Sequence, residues 1–434
     1  MSKVERAYPY LILTTVFCTC FTYAGTFDLG VRLFPSEILF CLSVLIFPWI
    51  IIRNRHIQLF NRMDLSLTIS LLIFIFLHLL SVLYVAFIYH QNNNTFNSIK
   101  EFIRVITTMP FVILIIILYR NKLLNLFSLI KAFIFSGVCS ALYAIYQFIS
   151  VLLIKKYFPL LPNSSVYPNV NGRGVGTFME GGYAVLFFGI ALSFLLYLQQ
   201  EKIHGFSVKC FTTLSVILIL GILVTESTSG IAAGLVCMFV YLFSNEERLQ
   251  DNFTKKQNLI ILVILFALAC LTFIFFQEKI LSMFNGVIHA FKYGVDGAIG
   301  SMNSFSAEDR LVKIFKGLFM FFAHPIFGIG LRQYSFNYML YPPKAVFTQD
   351  IATVVPLNVY VEILSELGFL GIISFLFVIL VLIRKTNRMN KILTLFVLLN
   401  FLTYPSYKMF FIWCTFGILY LIKIDENDKA NCSV

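Results

Sequence analysis

Long apolar runs, one after another with few charges between them, constrain this chain more than any motif does. A helix needs about 20 apolar residues to cross a hydrocarbon core of roughly 30 Å. Candidate spans of that kind fall at about 8–24, 33–52, 65–89, 99–119, 124–154, 180–199, 208–224, 229–243, 258–276, 356–383, 390–402 and 407–422. They predict an all-α polytopic membrane protein with about twelve transmembrane helices. Composition agrees, with 59% hydrophobic, 17% aromatic and 12% charged residues, where a soluble domain carries about 25% charge. A soluble enzyme, a nucleic-acid binder and a disordered tail are excluded. Membrane lipid is an expected partner; nucleic acid is not. The first run follows Lys3 and Arg6, but Thr22-Tyr23-Ala24 offers no clean small-residue cleavage site, so it reads as a span rather than a signal peptide.

The net charge of +12 needs locating. Lys and Arg concentrate in cytoplasmic loops. With the N-terminus inside, every inner loop carries them: Lys3 and Arg6; Arg53, Arg55 and Arg62; Arg120 and Lys122; Lys202 and Lys209; Arg248, Lys255 and Lys256; Arg384, Lys385, Arg388 and Lys391; Lys423 and Lys429. The short outer turns at about 25–30, 225–228 and 403–406 carry none. Two outer loops, at about 155–179 and 277–355, depart from the trend and hold several basic residues. The chain thus divides into spans 1–9 over 1–276, an outer loop containing helix over 277–355, and spans 10–12 with a cytoplasmic tail over 356–434.

Eight of the nine cysteines lie in or at the ends of apolar spans and Cys432 lies in the tail, so they read as small buried hydrophobes. There is no CxxC or HExxH pattern and the six histidines are scattered, so no metal or cofactor is expected. The lack of a Walker A motif argues against an ATP-driven pump. The lack of a visible internal repeat argues against a transporter.

In the loop at 155–179, Pro159, Pro162 and Pro168 oppose helix. Gly172, Gly174 and Gly176 then flank Arg173. No strand precedes them, so this is not a dinucleotide fingerprint. Glycines there would let amides approach a ligand. Glu180 stands where the next helix begins. It is either a helix-start carboxylate favoured by the macrodipole or an acid or base facing an outer cavity. In the loop at 277–355, an amphipathic helix starts at about Ser306. Leu311, Ile314, Phe315, Leu318, Phe319 and Phe322 share one face, while Arg310, Lys313 and Lys316 fall mostly on the other. His324-Pro325 ends it, and Gly328-Ile329-Gly330 and Arg332 follow. Such a helix lies on a membrane surface or closes its basic face over an anionic head group.

Charges inside spans are costly and usually functional. Lys100, Glu101 and Arg104 open the fourth span, and Glu101 and Arg104 have the spacing of a pair. Asn358, Glu362 and Glu366 recur every four residues in the tenth. They serve either as helix–helix hydrogen-bonding groups or as part of a site.

Four features occur in a fixed order: Arg173-Gly-Val-Gly-Thr-Phe-Met-Glu180; Thr225-Glu-Ser-Thr-Ser-Gly230; Arg310 with His324-Pro325-Ile-Phe-Gly-Ile-Gly330; and Asn358 followed, after nine residues, by Gly368-Phe-Leu-Gly371. Over about 170–385 the chain resembles the superfamily of Wzy-type O-antigen polymerases and O-antigen ligases. The ligase pattern places His before the Asn358 position, where this chain has Leu357, and Ser-Arg where it has Ser229-Gly230. The missing His points to the polymerase branch.

The resemblance implies a GT-C-like helical bundle with a periplasmic helical cap, in the bacterial inner membrane. It implies a metal-independent glycosyltransferase of lipopolysaccharide biosynthesis. A growing glycan would pass from undecaprenyl pyrophosphate to the non-reducing end of a new undecaprenyl-pyrophosphate-linked repeat unit. Such an enzyme admits a chain-length regulator protein as a partner. A ligase acting on lipid A-core and a lipid-linked sugar flippase are the alternatives. Arg173, Arg310, Lys313, Arg332, Asn358 and Arg104 are the candidate substrate contacts. Arginine suits a diphosphate leaving group because it is always charged and bidentate. Glu362, Glu180 and His324 are the candidate bases for the acceptor hydroxyl.

Overall fold

The structure, a computed structural model, describes residues 3–22, 27–28, 32–53, 62–89, 92–155, 160, 172–200, 207–227, 230–234, 305–343, 354–384 and 386–432. The expected span at 258–276, and that at 229–243 apart from 230–234, lie outside the described residues. The described helices are α1 (Lys3–Phe17), α2 (Pro35–Arg53), α3 (Arg62–Tyr89), α4 (Asn92–Thr108), α5 (Phe111–Arg120), α6 (Leu126–Ile154) and α7 (Gly181–Gln200). They continue with α8 (Val208–Val224), α9 (Phe305–Ala323), α10 (Tyr334–Asn337), α11 (Val359–Ile383), α12 (Arg388–Asn400) and α13 (Phe410–Cys432). A two-residue ribbon pairs Phe27–Asp28 with Arg32–Leu33. The protein is an all-α polytopic membrane protein.

Among the described residues six helical stretches are long and apolar enough to cross a membrane: Pro35–Arg53, Asp64–Ile88, Asn94–Arg120, Leu126–Leu153, Gly181–Gln199 and Val359–Ile383. Polar caps start several of these helices. Asn125 accepts from the Phe127 amide, Ser207 from Cys210 and Asn387 from Asn390, which satisfies donors that the first turn leaves free. Leu45, Ile52, Phe76, Phe87, Leu376 and Phe377 are exposed, the surface a bilayer covers.

Helix α1 packs on α2 and α6, α3 on α4 and α11, α6 on α7 and α8, and α13 on α5. The aromatic core runs between them, with Phe74, Phe111, Phe133, Phe187 and Trp413 fully buried. At one end, Arg120 grips the buried Asp64 through two nitrogens at 3.1 and 3.4 Å and also reaches Asp428 at 3.3 Å. The tail expected after 422 is therefore the continuation of α13, held to α3 and α5. The starts of α2, α7 and α11 and the ends of α6, α8 and α12 gather at the other end, beside α9.

Two further expectations change. The fourth span is interrupted: Pro110 has no amide to donate, and α4 gives way to α5 across Met109-Pro110. Helix α9 turns its polar side inward. Glu308, Val312, Lys313, Lys316 and Met320 are buried, while Phe319 and Phe322 are exposed. The Lys316 ammonium donates to the carbonyls of Tyr338 and Tyr341, both at 2.9 Å, and so clasps the segment around α10. Burial pushes its pKa down. Its charge serves this clasp rather than a membrane surface.

Candidate functional site

Helix α11 is broken nearly two turns beyond Glu362. Gly368 sits at φ 67°, ψ −160° inside it. The segment after α9 is spliced into the break. Ile329 and Gly330 donate to the Ser365 and Glu366 carbonyls at 2.8 and 3.1 Å, and Phe369 donates to Pro325 O at 2.8 Å. These bonds replace what the helix loses, as buried backbone in a membrane requires. A Cβ on Gly328 (φ 69°) would lie 2.5 Å from the Glu366 carbonyl carbon, and one on Gly368 2.3 Å from Ile326 O. The splice continues into Leu331, whose amide donates to Ser81 of α3 at 2.7 Å and whose carbonyl accepts from Ser98 of α4 at 2.6 Å. The two glycine motifs of the sequence are thus one structural joint.

Beside this joint lies a buried ion cluster. Lys408, in the turn before α13, places Nζ 2.8 Å from Glu362, 3.3 Å from Glu366 and 3.3 Å from Glu101. Glu101 also accepts from Arg104 at 3.4 Å, the pair its spacing predicts. Arg104 reaches the buried Glu37 at 4.0 Å, and Glu37 caps α2 by accepting from the Phe34 amide at 3.0 Å. Arg332 lies near enough to act electrostatically on Glu101. Buried charges need such pairing, because removing one partner strands the others.

A second group stands at the end of the bundle that carries α9. Half-buried Glu180 precedes α7, within electrostatic reach of Arg310 and Lys313. Desolvation lifts its carboxyl above the ordinary carboxylate range, against the pull of those two cations. Arg310 donates to Thr403 O at 3.4 Å and lies 5.4 Å over the Tyr404 ring. Lys313 pairs with Asp309 at 2.6 Å. The Tyr404 ring lies tilted against Tyr183, centroids 5.5 Å apart, and its hydroxyl meets Ser227 Oγ at 3.1 Å. Tyr183 lies within electrostatic reach of both Glu180 and Glu362.

Other candidates fall elsewhere. Asn358 caps α11, accepting from Val361 N at 3.1 Å and donating to Leu402 O at 3.1 Å, so its side chain fixes the helix start. Arg173 pairs with Glu226 at 3.3 Å on the surface. The amides of Val175 and Gly176 both donate to Gln147 Oε1, at 2.9 and 2.8 Å. The glycine segment thus spends those amides on α6 rather than offering them to a ligand. His324 is exposed at the end of α9, and among the described residues no ion pair joins it to Glu180 or Glu362.

Residues 213–376 match the family model described as O-Antigen ligase. Over that stretch the chain is similar to the O-antigen polymerase/ligase superfamily. No curated protein matches it. The matched stretch includes Arg310, Lys313, Arg332, Asn358 and Glu362 together with both sides of the splice. Arg104, Arg173, Glu180 and Lys408 lie outside it. Sequence reasoning missed Lys408, Glu37, Tyr183 and Tyr404. Lys408 had a signal, a lone ammonium in the apolar run Tyr407–Trp413. Tyr183 and Tyr404 had none among so many aromatics.

Proposed function

We propose that this chain is a member of that superfamily and polymerises lipid-linked oligosaccharide repeat units. On this reading the growing glycan leaves undecaprenyl pyrophosphate and joins a sugar hydroxyl at the non-reducing end of a new lipid-linked unit. The reaction takes place on the periplasmic face of the bacterial inner membrane. The observation that carries this reading is the approach of Glu180, with its raised pKa, to Arg310 and Lys313. A departing diphosphate needs preorganised positive charge, and an attacking hydroxyl is helped by a general base within hydrogen-bond reach. Arg310 supplies the fork, Lys313 a second charge and Glu180 the base. Arg173, exposed beside Glu226, can turn toward the diphosphate. Glu362 is committed to Lys408 and supports the site from below.

The matching family's description favours a ligase as the second reading. Leu357, where the ligase pattern has His, favours the polymerase. Lipopolysaccharide from a deletion strain separates them. A polymerase loses the ladder and keeps core with one repeat unit. A ligase loses all capping.

A further inference from the structure

The buried cluster contains more acids than bases. Its carboxylates are Glu37 from α2, Glu101 from α4, and Glu362 and Glu366 from α11. Its cations are Arg104 from α4, Arg332 from the spliced segment and Lys408 from the turn before α13. His78 of α3 makes contacts that a neutral imidazole satisfies. Its Nδ1 faces the Phe74 carbonyl at 2.8 Å and its Nε2 faces the Tyr407 hydroxyl at 3.3 Å. Tyr407 and, from α7, Tyr183 complete the surrounding titratable groups.

Two of the four acids have cations or amides apart from Lys408, Glu37 loosely, with Arg104 at 4.0 Å. Glu37 has Arg104 and a backbone amide. Glu101 has Arg104, Arg332 and a share of Lys408. Among the described residues Glu362 and Glu366 have Lys408 alone between them. They stand one turn apart on one helix face, where like charges repel. They are 4% and 1% exposed, and Glu362 Oε2 and Glu366 Oε1 have no hydrogen-bond partner. Two carboxylates sharing one site do not both ionise. Among the described residues no group of three His, Cys, Asp or Glu is placed to hold a metal ion instead.

We propose that Glu362 and Glu366 share one bound proton, held between their unpartnered oxygens and Lys408. This makes the pair a proton-binding site. Tyr183 lies within electrostatic reach of both Glu362 and Glu180. A proton held there keeps the pair and Lys408 neutral as a group.

Infrared spectroscopy of the purified full chain in detergent tests this near neutral pH, through the C=O stretch of a protonated carboxylic acid and its shift in heavy water. The wild type and Glu180→Gln are expected to carry the band. Glu362→Gln and Glu366→Gln are each expected to lose it, because the remaining carboxylate then has Lys408 to itself and ionises. Lys408→Met is expected to gain a second equivalent. Absence of the band in wild type, its loss in Glu180→Gln, or its retention in both α11 variants overturns the proposal. The first two outcomes need no change in the buried cluster, so they hold even if the α11 variants do not fold. The spectra do not depend on activity, so a chain that proved to be a ligase would leave the test intact.

Discussion

At the scale of single residues the proposed chemistry rests on Arg310, Arg173 and Glu180. Removing one group that stabilises developing charge costs about 10²–10³ in turnover. Arg310→Ala is expected to lose about that much polymerisation, and Arg310→Lys to be impaired as well, because the planar fork is gone. Assays on purified protein with a lipid-linked repeat unit read this directly. Arg173 pairs with Glu226 on the surface, where such pairs contribute about 0–1 kcal/mol. Arg173→Ala should therefore fold normally, and full activity in that variant would remove Arg173 from the site. Glu180 gives a pH signature. Its raised pKa means that activity climbs with pH through that value as the base ionises, and Glu180→Gln abolishes that limb. Stability runs the other way: the unfolded chain releases this proton at lower pH, so the fold loses stability as pH rises toward the folded value. The Glu101–Arg104 pair was legible because its spacing is local. Lys408 was not, since its three partners lie on two distant helices.

At the scale of elements, the account rests on the splice between the post-α9 segment and α11. Gly328 and Gly368 both have positive φ and no room for a Cβ. Gly328→Ala and Gly368→Ala are each expected to cost about 1–3 kcal/mol from backbone strain alone, with more from the displaced carbonyls. Thermal unfolding in detergent, set against Gly234→Ala in a looser position, checks this. The sequence held both glycine motifs but not their union. Residues Leu367–Phe369 continue the apolar pattern of the span, so periodicity has nothing to register at the break. The amphipathic pattern of α9 was legible as helix. Its orientation was not, because at a bilayer edge the apolar face can turn outward, and the buried Lys316 depends on carbonyls beyond the helix.

At the scale of the whole molecule, hydropathy alone identifies the class, because long apolar helices leave few other solutions. The charge distribution adds an orientation. A cysteine placed at Ser301 is expected to react with an impermeant reagent from the periplasmic side only; cytoplasmic labelling would invert the topology. What remained illegible is the convergence of the 225–227 and 401–408 turns on α9. That convergence is built from contacts between residues far apart in sequence, such as Arg310 with Thr403 and Tyr404 with Ser227. The most direct measurement of the central claim is reconstitution of the purified chain with a single lipid-linked repeat unit and no lipid A-core. The account predicts a ladder of lipid-linked products of two and more repeats, lost in Arg310→Ala. A reaction that starts only when lipid A-core is added, and never lengthens the glycan, would contradict it.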